Sequence, residues 1–252
     1  MTSECHAQAG EDQRLAEIFA AQKTGVCLEV GALDGVKDSI TLHFEKHGWT
    51  CILVEANPAL AAQAKTKRQA QVFACAAGRS ASTVQFVIAQ GAEYLSTMLP
   101  TEMHLARMLR DGATIKRVQV AVRPVDDILQ EAGIARLDFA TIDVEGAELE
   151  VLLGFDLARW RPRVLVIEES SGGQDGRVRC DLGARGYRCF LHEGFNDWYA
   201  AAGDPQLLTP ARCAAELRRQ IRVRLYAATV GLLPSDVQRR LVGWKRKWLP
   251  WL

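Results

Sequence analysis

The chain has 252 residues, 48% of them hydrophobic, which is ample for one sizeable core and excludes a disordered or fibrous protein. Its net charge of +1 hides a division: residues 211–252 carry ten basic residues against two acids, a net +8, so the remainder carries −7. Seven cysteines are scattered without a CxxC pair, which argues against a structural zinc set and for a reducing compartment.

Residues 1–10 are polar and lack the apolar region of a secretory signal, and no apolar run is long enough to span a bilayer. The expected location is the cytoplasm. In residues 11–23, Leu15, Ile18, Phe19 and Gln22 recur at helical spacing, so residues 1–25 read as a helical extension ahead of the main domain. The run 26–30 is apolar but for Glu29 and reads as a strand buried on both faces. Gly31 and Gly35 then bracket a turn in which backbone can approach a ligand. Ile40, His43, Phe44 and His47 predict a helix starting near Asp38 or Ser39. A strand, a glycine turn and a helix place a nucleotide-like ligand at the carboxyl end of the strand.

The second strand, 50–54, ends in Glu55-Ala56-Asn57-Pro58. A carboxylate there can accept hydrogen bonds from both ribose hydroxyls of an adenosine. Dinucleotide-binding proteins use the same device, so the turn decides. A G-x-G-x-x-G pattern, which sets a helix terminus against a pyrophosphate, is missing; the pattern is Glu29-x-Gly31-x-x-x-Gly35. A carboxylate inside the strand end suits the cationic amino-acid part of S-adenosylmethionine better than a pyrophosphate. Asn57 is the expected cap of a helix over 58–68, with Pro58 at its first position. Residues 71–76 read as a third strand ended by Gly78, completing a right-handed βαβαβ half. Cys27, Cys51 and Cys75 fall in these strands as small hydrophobes.

Residues 84–89 and 116–122 alternate enough to be added strands, with a loop and short helix over 90–112 close to the site. A helix opens at 125–129. Residues 137–143 form the fourth main strand, turning through Val144-Glu145-Gly146-Ala147-Glu148 into a helix that runs to Leu153. A link over 155–163 leads to a fifth strand, 164–167, that ends in Glu168-Glu169. Residues 172–176 read as flexible, 178–186 as a helix, 187–191 as a late strand and 195–199 as a short aromatic segment.

These blocks resemble the FkbM-type S-adenosylmethionine-dependent methyltransferases. The match lies in Leu28-Glu29-Val30-Gly31-Ala32-Leu33-Asp34-Gly35, in Gly48-Trp49 leading to Leu53-Val54-Glu55-Ala56-Asn57-Pro58, in Leu137 to Glu148, and in Arg161-Pro162-Arg163-Val164. It covers roughly residues 26–200 in the expected order. Ser39 and Thr41 stand where one branch of the family has Ser and Thr. The resemblance implies a Rossmann-like α/β domain over 26–206, with a mostly parallel seven-stranded sheet whose last hairpin is reversed and helices on both faces. It also implies methyl transfer to a hydroxyl of a glycan or a small-molecule natural product. Glu29, Gly31, Ala32, Asp34, Gly35, Ser39, Glu55, Ala56, Asn57 and Ala76 are the expected cofactor residues. No acid or amide follows the third strand, so the adenine would meet backbone atoms around Ala76.

Asp143, Glu145 and Glu168 are the expected catalytic residues, since the fourth and fifth strand ends face the methyl group in this fold and the acceptor proton must be taken up. Asp143 with Glu168 and Glu169 also resembles the Mg²⁺ site of catechol-type O-methyltransferases. His192 is a further candidate to approach the acceptor; His43 and His47 read as packing or surface residues, His104 as structural, and Trp49, Trp160 and Trp198 as core or lid aromatics. Two other classes stay open: a non-catalytic cofactor-binding assembly partner and, motivated by the basic tail, a nucleic-acid methyltransferase. In that tail, 207–252, Leu217, Ile221, Leu225 and Ala228 recur at helical spacing among arginines, and Val237, Leu241 and Trp244 continue the pattern beyond Pro234. The stripe would pack on the domain or a second copy of the chain, or lie on the inner face of a membrane with Trp244, Trp248 and Trp251 at the interface, or the basic tail would bind a polyanion.

Overall fold

The structure is a computed structural model in which residues 6–231 are described, and the chain divides into two compact units, 1–168 and 169–252. The first unit opens with α1 (Glu11–Ile18), shorter than expected because the chain turns away after Phe19. β1 (Val26–Val30) follows, and then α2 (Leu42–Lys46). This second helix starts later than the expected Asp38 or Ser39. Asp38 is left-handed (φ 57), and Ser39 and Thr41 are drawn back to the Glu29 carboxylate, so the helix cannot form before Leu42. β2 (Thr50–Val54) and α3 (Pro58–Lys67) occupy their expected positions, and the Asn57 side chain accepts the Ala59 N–H at 3.1 Å as cap.

The expected third strand splits in two. β3 (Gln71–Phe73) joins the main sheet, the chain bends at Ala74-Cys75, and β4 (Ala76–Ala77) pairs elsewhere. Cys75 is therefore in the bend and not in a strand. β5 (Ser82–Gln90), α4 (Glu102–Arg110) and β6 (Thr114–Arg123) form an insertion; β5 and β6 are antiparallel in register from Ser82↔Val122 to Gln90↔Thr114, and β4 runs parallel beside β6. This second sheet has its own core, with Val87, Ala89, Leu95 and Met108 on one side and Phe86, Ile88, Val120 and Val122 on the other. Alternate residues of β5 thus bury both faces.

α5 (Val125–Glu131), β7 (Phe139–Ile142), α6 (Glu148–Leu153), α7 (Leu157–Trp160) and β8 (Val164–Glu168) complete the first unit. The short α7 lies in the stretch expected to be a link, where Asp156 accepts the Ala158 N–H at 2.9 Å as cap. Phe19, Phe44, Trp49 and Phe139 form one aromatic cluster with ring centroids from 4.7 Å (Phe44–Phe139) to 5.8 Å (Trp49–Phe139). Such pairs add about 0.5–1.5 kcal/mol each beyond burial, so the cluster fixes the entry to β1 and β7.

The second unit holds α8 (Arg177–Ala184), β9 (Tyr187–Glu193), β10 (Asn196–Ala201) and α9 (Pro210–Gly231). Residues 195–199, expected only as an aromatic segment, belong largely to β10, which pairs antiparallel with β9 and buries Trp198 and Tyr199. Asp197, 1% exposed, accepts hydrogen bonds from His192 Nδ1 (2.7 Å), Arg219 (3.2 Å), Tyr199 Oη (3.1 Å) and Arg179. Desolvation would raise its pKa, but His192 and the two guanidinium charges outweigh it and hold the carboxyl below its usual range.

The main sheet has the order β3-β2-β1-β7-β8-β10-β9, parallel from β3 to β8. Counted along the chain its strands run 3-2-1-4-5-7-6, a Rossmann-like arrangement whose order reverses at β1/β7. Ligands in such sheets sit outside the carboxyl ends of the strands at the reversal. In the apolar stripe foreseen in the tail, Leu217, Ile221 and Leu225 of α9 are exposed among the described residues. Val237, Leu241 and the terminal tryptophans lie outside the described residues. No described helix is long and apolar enough to cross a membrane.

Candidate active site

A cleft of about 600 Å³, counting its open mouth, lies at the carboxyl ends of β1, β2 and β7. Its walls include Val30, Gly31 and Leu33 after β1, Glu55 and Ala56 after β2, and Cys75, Ala76 and Ala77 at the bend. Asp143, Val144 and Glu145 line it after β7, and Glu93, Tyr94, Ser96 and Met98 line it from the insertion.

Gly31 makes the cleft possible. Its φ is +91, and a Cβ there would lie 1.8 Å from the Asp143 carbonyl oxygen, so only glycine lets the tips of β1 and β7 come together. Glu55, 5% exposed, uses Oε2 for the Leu33 N–H at 2.8 Å and Oε1 for the Asn57 N–H at 2.7 Å. A carboxylate offers about four acceptor positions, so acceptor capacity remains beyond these backbone N–H groups. Burial pushes this carboxyl up to about 7, against the pull of the Asn57 and Leu33 N–H groups.

Several expected cofactor residues stand behind the cleft wall instead of on it. Glu29 is buried, and its oxygens accept from Ser39 Oγ at 2.8 Å, Ile40 N at 2.8 Å and Thr41 Oγ1 at 2.5 Å. Arg68, unmarked in the sequence, caps this network: its guanidinium reaches the Gly35 carbonyl at 2.6 Å, Ser39 at 3.0 Å and Thr41 at 3.2 Å, with Glu45 3.1 Å away. Glu29 and Ser39 therefore brace the glycine turn and do not line the cleft. Gly35 packs on α3, where a Cβ would meet Arg68 Cγ at 2.9 Å. Asp34 accepts the Val36 and Lys37 N–H groups and pairs with Lys67 at 2.6 Å. Ala32 is buried beside the turn, and Asn57 serves as the cap of α3. Only Gly31, Glu55, Ala56 and Ala76 of the expected cofactor set line the cleft.

Asp143, Glu145 and Glu168 do come together, each offering an oxygen within 4.8 Å of the others. Glu145 is left-handed (φ 53), as is Gly146 (φ 99), which turns its side chain back to the cleft. Glu148 holds that loop by accepting the Gly146 N–H at 2.9 Å and the Val144 N–H at 3.4 Å. Glu145 has one cationic partner, Arg107 of α4 at 3.5 Å. Its carboxyl is pushed up to about 7 by burial and by Glu148, with Arg107 opposing.

Asp143 is pushed up to about 7 by desolvation and by Glu145, although water reaches it through the cleft mouth. Glu168, within hydrogen-bonding reach of Asp143, is raised further by desolvation and by the charges of Asp143, Glu145 and Glu148. One carboxylate oxygen of Glu168, Oε2, is buried with no hydrogen-bond partner among the described residues. Of the pair, Glu168 is the acid biased more strongly towards its protonated form, and Asp143 is the one that lines the cleft.

The same three acids could close on a divalent cation, because hard oxygen donors suit Mg²⁺. Oxygens around such an ion lie about 3 Å apart at Mg–O distances of about 2.1 Å, so the acids would have to draw in. Glu169 does not join them; its oxygens accept from Ser171 and from the Gly173 N–H.

The remaining candidates have structural partners. His192 is held by Asp197 in the second unit, His47 bonds the His43 carbonyl at 2.7 Å, and His104 bonds the Leu95 carbonyl at 2.7 Å. Trp49 and Trp198 are core residues, and Trp160 donates to Asp126 at 2.7 Å. Tyr94 was not foreseen by name; it lines the cleft at 45% exposure with the Lys37 ammonium 5.8 Å from its ring centroid.

Among solved structures, the chain is similar to the METTL16 methyltransferase domain, at 12% identity over 76% of this chain and 66% of that one, just under two thirds, with a TM-score of 0.44; a further crystal of the domain is described as human. It is similar to an O-methyltransferase from Bacillus cereus in complex with S-adenosylhomocysteine (16% identity, 78% and 81% coverage, TM-score 0.40). TrmK from M. capricolum, also with S-adenosylhomocysteine, is 9% identical over 96% of this chain and 95% of that one, with a TM-score of 0.41. At these identities and scores the likenesses decide nothing about chemistry. No curated protein matches the sequence. The model of the FkbM methyltransferase domain matches residues 29–198, about two thirds of the protein, and the chain belongs to that family.

Proposed function

We propose that this family member transfers the methyl group of S-adenosylmethionine to a hydroxyl oxygen, on a glycan or a small-molecule natural product. The cofactor, when bound, supplies an electrophilic methyl on a sulfonium. The chain's own residues do the rest. Glu55 has acceptor capacity left for the ribose hydroxyls, and the Cys75-Ala76-Ala77 bend offers backbone to the base. The glycine turn, braced by Glu29, Ser39 and Arg68, lets the ligand approach the β1 tip.

At the acceptor, the oxygen gains a methyl and must lose its proton. Asp143 is the group placed to take it. Glu168, protonated behind it, keeps Asp143 oriented, and Glu145 with Arg107 lines the acceptor side. The observation that supports this reading is the meeting of Asp143, Glu145 and Glu168 at the ends of β7 and β8, with Asp143 lining the cleft and Glu168 less exposed beside it. A base with a pKa near 7 is matched to proton removal at neutral pH.

The test is single-turnover kinetics with a hydroxyl acceptor. Asp143→Asn should lower the rate by about 100-fold while affinity for S-adenosylhomocysteine stays within a factor of about three. The wild-type rate should rise with pH through about 7, where Asp143 loses its proton. A pH-independent rate, or an Asp143→Asn variant of normal rate, would remove the base. Chelation separates the two uses of the acids: unchanged turnover in EDTA leaves proton transfer alone, and loss restored by Mg²⁺ assigns the acids to an ion.

A further inference from the structure

The helix α9 is built the wrong way round for a surface helix. Its inward face is polar. Glu216, 6% exposed, accepts from Arg219 at 2.8 Å and 2.9 Å and from Gln220 at 3.0 Å, and Arg219 reaches Asp197 at 3.2 Å. Val223 is the one apolar residue of that face buried to the same degree among the described residues, at 7%. Leu217, Ile221 and Leu225 follow one another at four-residue intervals on the opposite side, and they are 58%, 49% and 62% exposed. A surface helix ordinarily buries its apolar stripe and wets its charges. Here the apolar stripe is left outward, and the charges inside are satisfied by one another.

The flanks of the stripe say what covers it. Arg218, Arg222 and Arg224 are exposed beside it, and residues 211–252 carry the net +8 noted above. A second copy of the chain set face to face on this stripe would bring those arginines together. A dissolved polyanion would meet the arginines but has no use for three leucine-type side chains. An anionic bilayer surface takes both: the apolar side chains enter the acyl boundary while the long arginine stems lie along it and carry their charge to the headgroups. No described helix can cross a membrane, so such a contact lies on the surface. We propose that the outward face of α9, through Leu217, Ile221 and Leu225 with Arg218 and Arg222 beside them, docks the protein on anionic lipid membrane.

The test is co-sedimentation of the full chain with vesicles of phosphatidylglycerol in phosphatidylcholine, and of phosphatidylcholine alone. Each is run at low salt and at about 0.15 M salt, where exposed charges are screened over about 8 Å. The wild type should pellet with the anionic vesicles at low salt, less at the higher salt, and little with neutral ones. The variant Leu217→Gln/Ile221→Gln/Leu225→Gln should partition at least about tenfold less, because its electrostatic attraction survives but its insertion does not. Those side chains are already in water, so the fold should persist, which circular dichroism checks. Arg218→Gln/Arg222→Gln should weaken binding and flatten its salt dependence.

Wild type that stays in solution with anionic vesicles at low salt overturns the proposal. So does a stripe variant that binds like wild type, since the basic tail alone would then account for the attraction. A concentration-dependent dimer abolished by the stripe variant, without vesicle binding, would assign the face to a second copy. Retention on heparin without vesicle binding would assign it to a polyanion.

Discussion

The two halves of the cleft treat their carboxylates in opposite ways. Around the β1 and β2 tips, each acid is given donors. Glu29 takes two hydroxyls and an N–H, Glu55 takes two N–H groups, and Asp34 takes two N–H groups and an ammonium. Around the β7 and β8 tips, acids are given one another. Asp143, Glu145 and Glu168 crowd together, with Arg107 the cation paired with them among the described residues; Glu148 adds its charge nearby but is itself tied to the Gly146 and Val144 N–H groups. Satisfied acids make a rigid wall. The difference lies in the cause of the shifts: Glu55 is raised by burial against the pull of its donors, whereas burial is joined by the charge of Glu145 at Asp143 and by the charges of Asp143 and Glu145 at Glu168. In the function proposed above, the first half holds the ligand and the second carries the reaction.

The largest effect should come from breaking the satisfied half at its one buried cation. Arg68→Leu removes the guanidinium from Ser39, Thr41, Glu45 and the Gly35 carbonyl while leaving Glu29 and Glu45 in place. Breaking a buried ion pair by removing one partner costs about 3–5 kcal/mol. Urea unfolding of the variant should show a loss in that range, and Arg68→Lys should recover only part of it, because an ammonium cannot serve all these acceptors at once. A loss below about 1 kcal/mol would mean that the turn stands without Arg68.

Glu55 comes next and reports on binding instead of folding. Glu55→Ala should weaken S-adenosylhomocysteine by about 2–3 kcal/mol, the worth of charge-assisted hydrogen bonds at a buried carboxylate. Calorimetry that finds unchanged affinity, with the fold intact by circular dichroism, would take Glu55 out of the ribose role.

The two halves also differ in how legible they were. β1, β2 and the capped α3 could be read because their signals are local: an apolar run, a glycine, an Asn-Pro step. Glu55 was legible for the same reason, standing at the end of a strand. The use of Glu29 was not, because it depends on Ser39 and Thr41 folding back and on Arg68 arriving from the far end of α3. Nothing near residue 68 marks an arginine that will be buried. The crowding of Asp143, Glu145 and Glu168 was visible, since β7 and β8 are adjacent parallel strands with acids at or just beyond their ends. Asp197 and the inverted face of α9 were not. Helical spacing gives the period of a stripe but not the direction in which it points.

The smallest effect is the one that tests the contrast most directly. The folded-state pKa of Asp143 lies at about 7 against an ordinary 3.8, so between those values the folded protein binds a proton that the unfolded chain has released. Stability contributed by this group is therefore full below pH 4 and declines as pH rises towards 7. Asp143→Asn carries no charge and escapes the decline. The variant that slows turnover should thus be more stable than wild type at pH 8, by about 1 kcal/mol once water at the cleft mouth is allowed for. In thermal unfolding that is a gain of about 2–4 °C for a chain of this size, vanishing near pH 4. Asp34 should give the opposite sign. Desolvation would raise its carboxyl, but the Lys67 ammonium and the Lys37 and Val36 N–H groups outweigh it and hold the pKa below the ordinary value. Asp34→Asn should therefore lose stability at neutral pH, with the difference fading as pH falls through the folded-state pKa. Equal signs for the two asparagine variants would mean that the acids of the β7 and β8 tips are as well satisfied as those of the β1 and β2 tips, and the division between a holding half and a reacting half would fall with it.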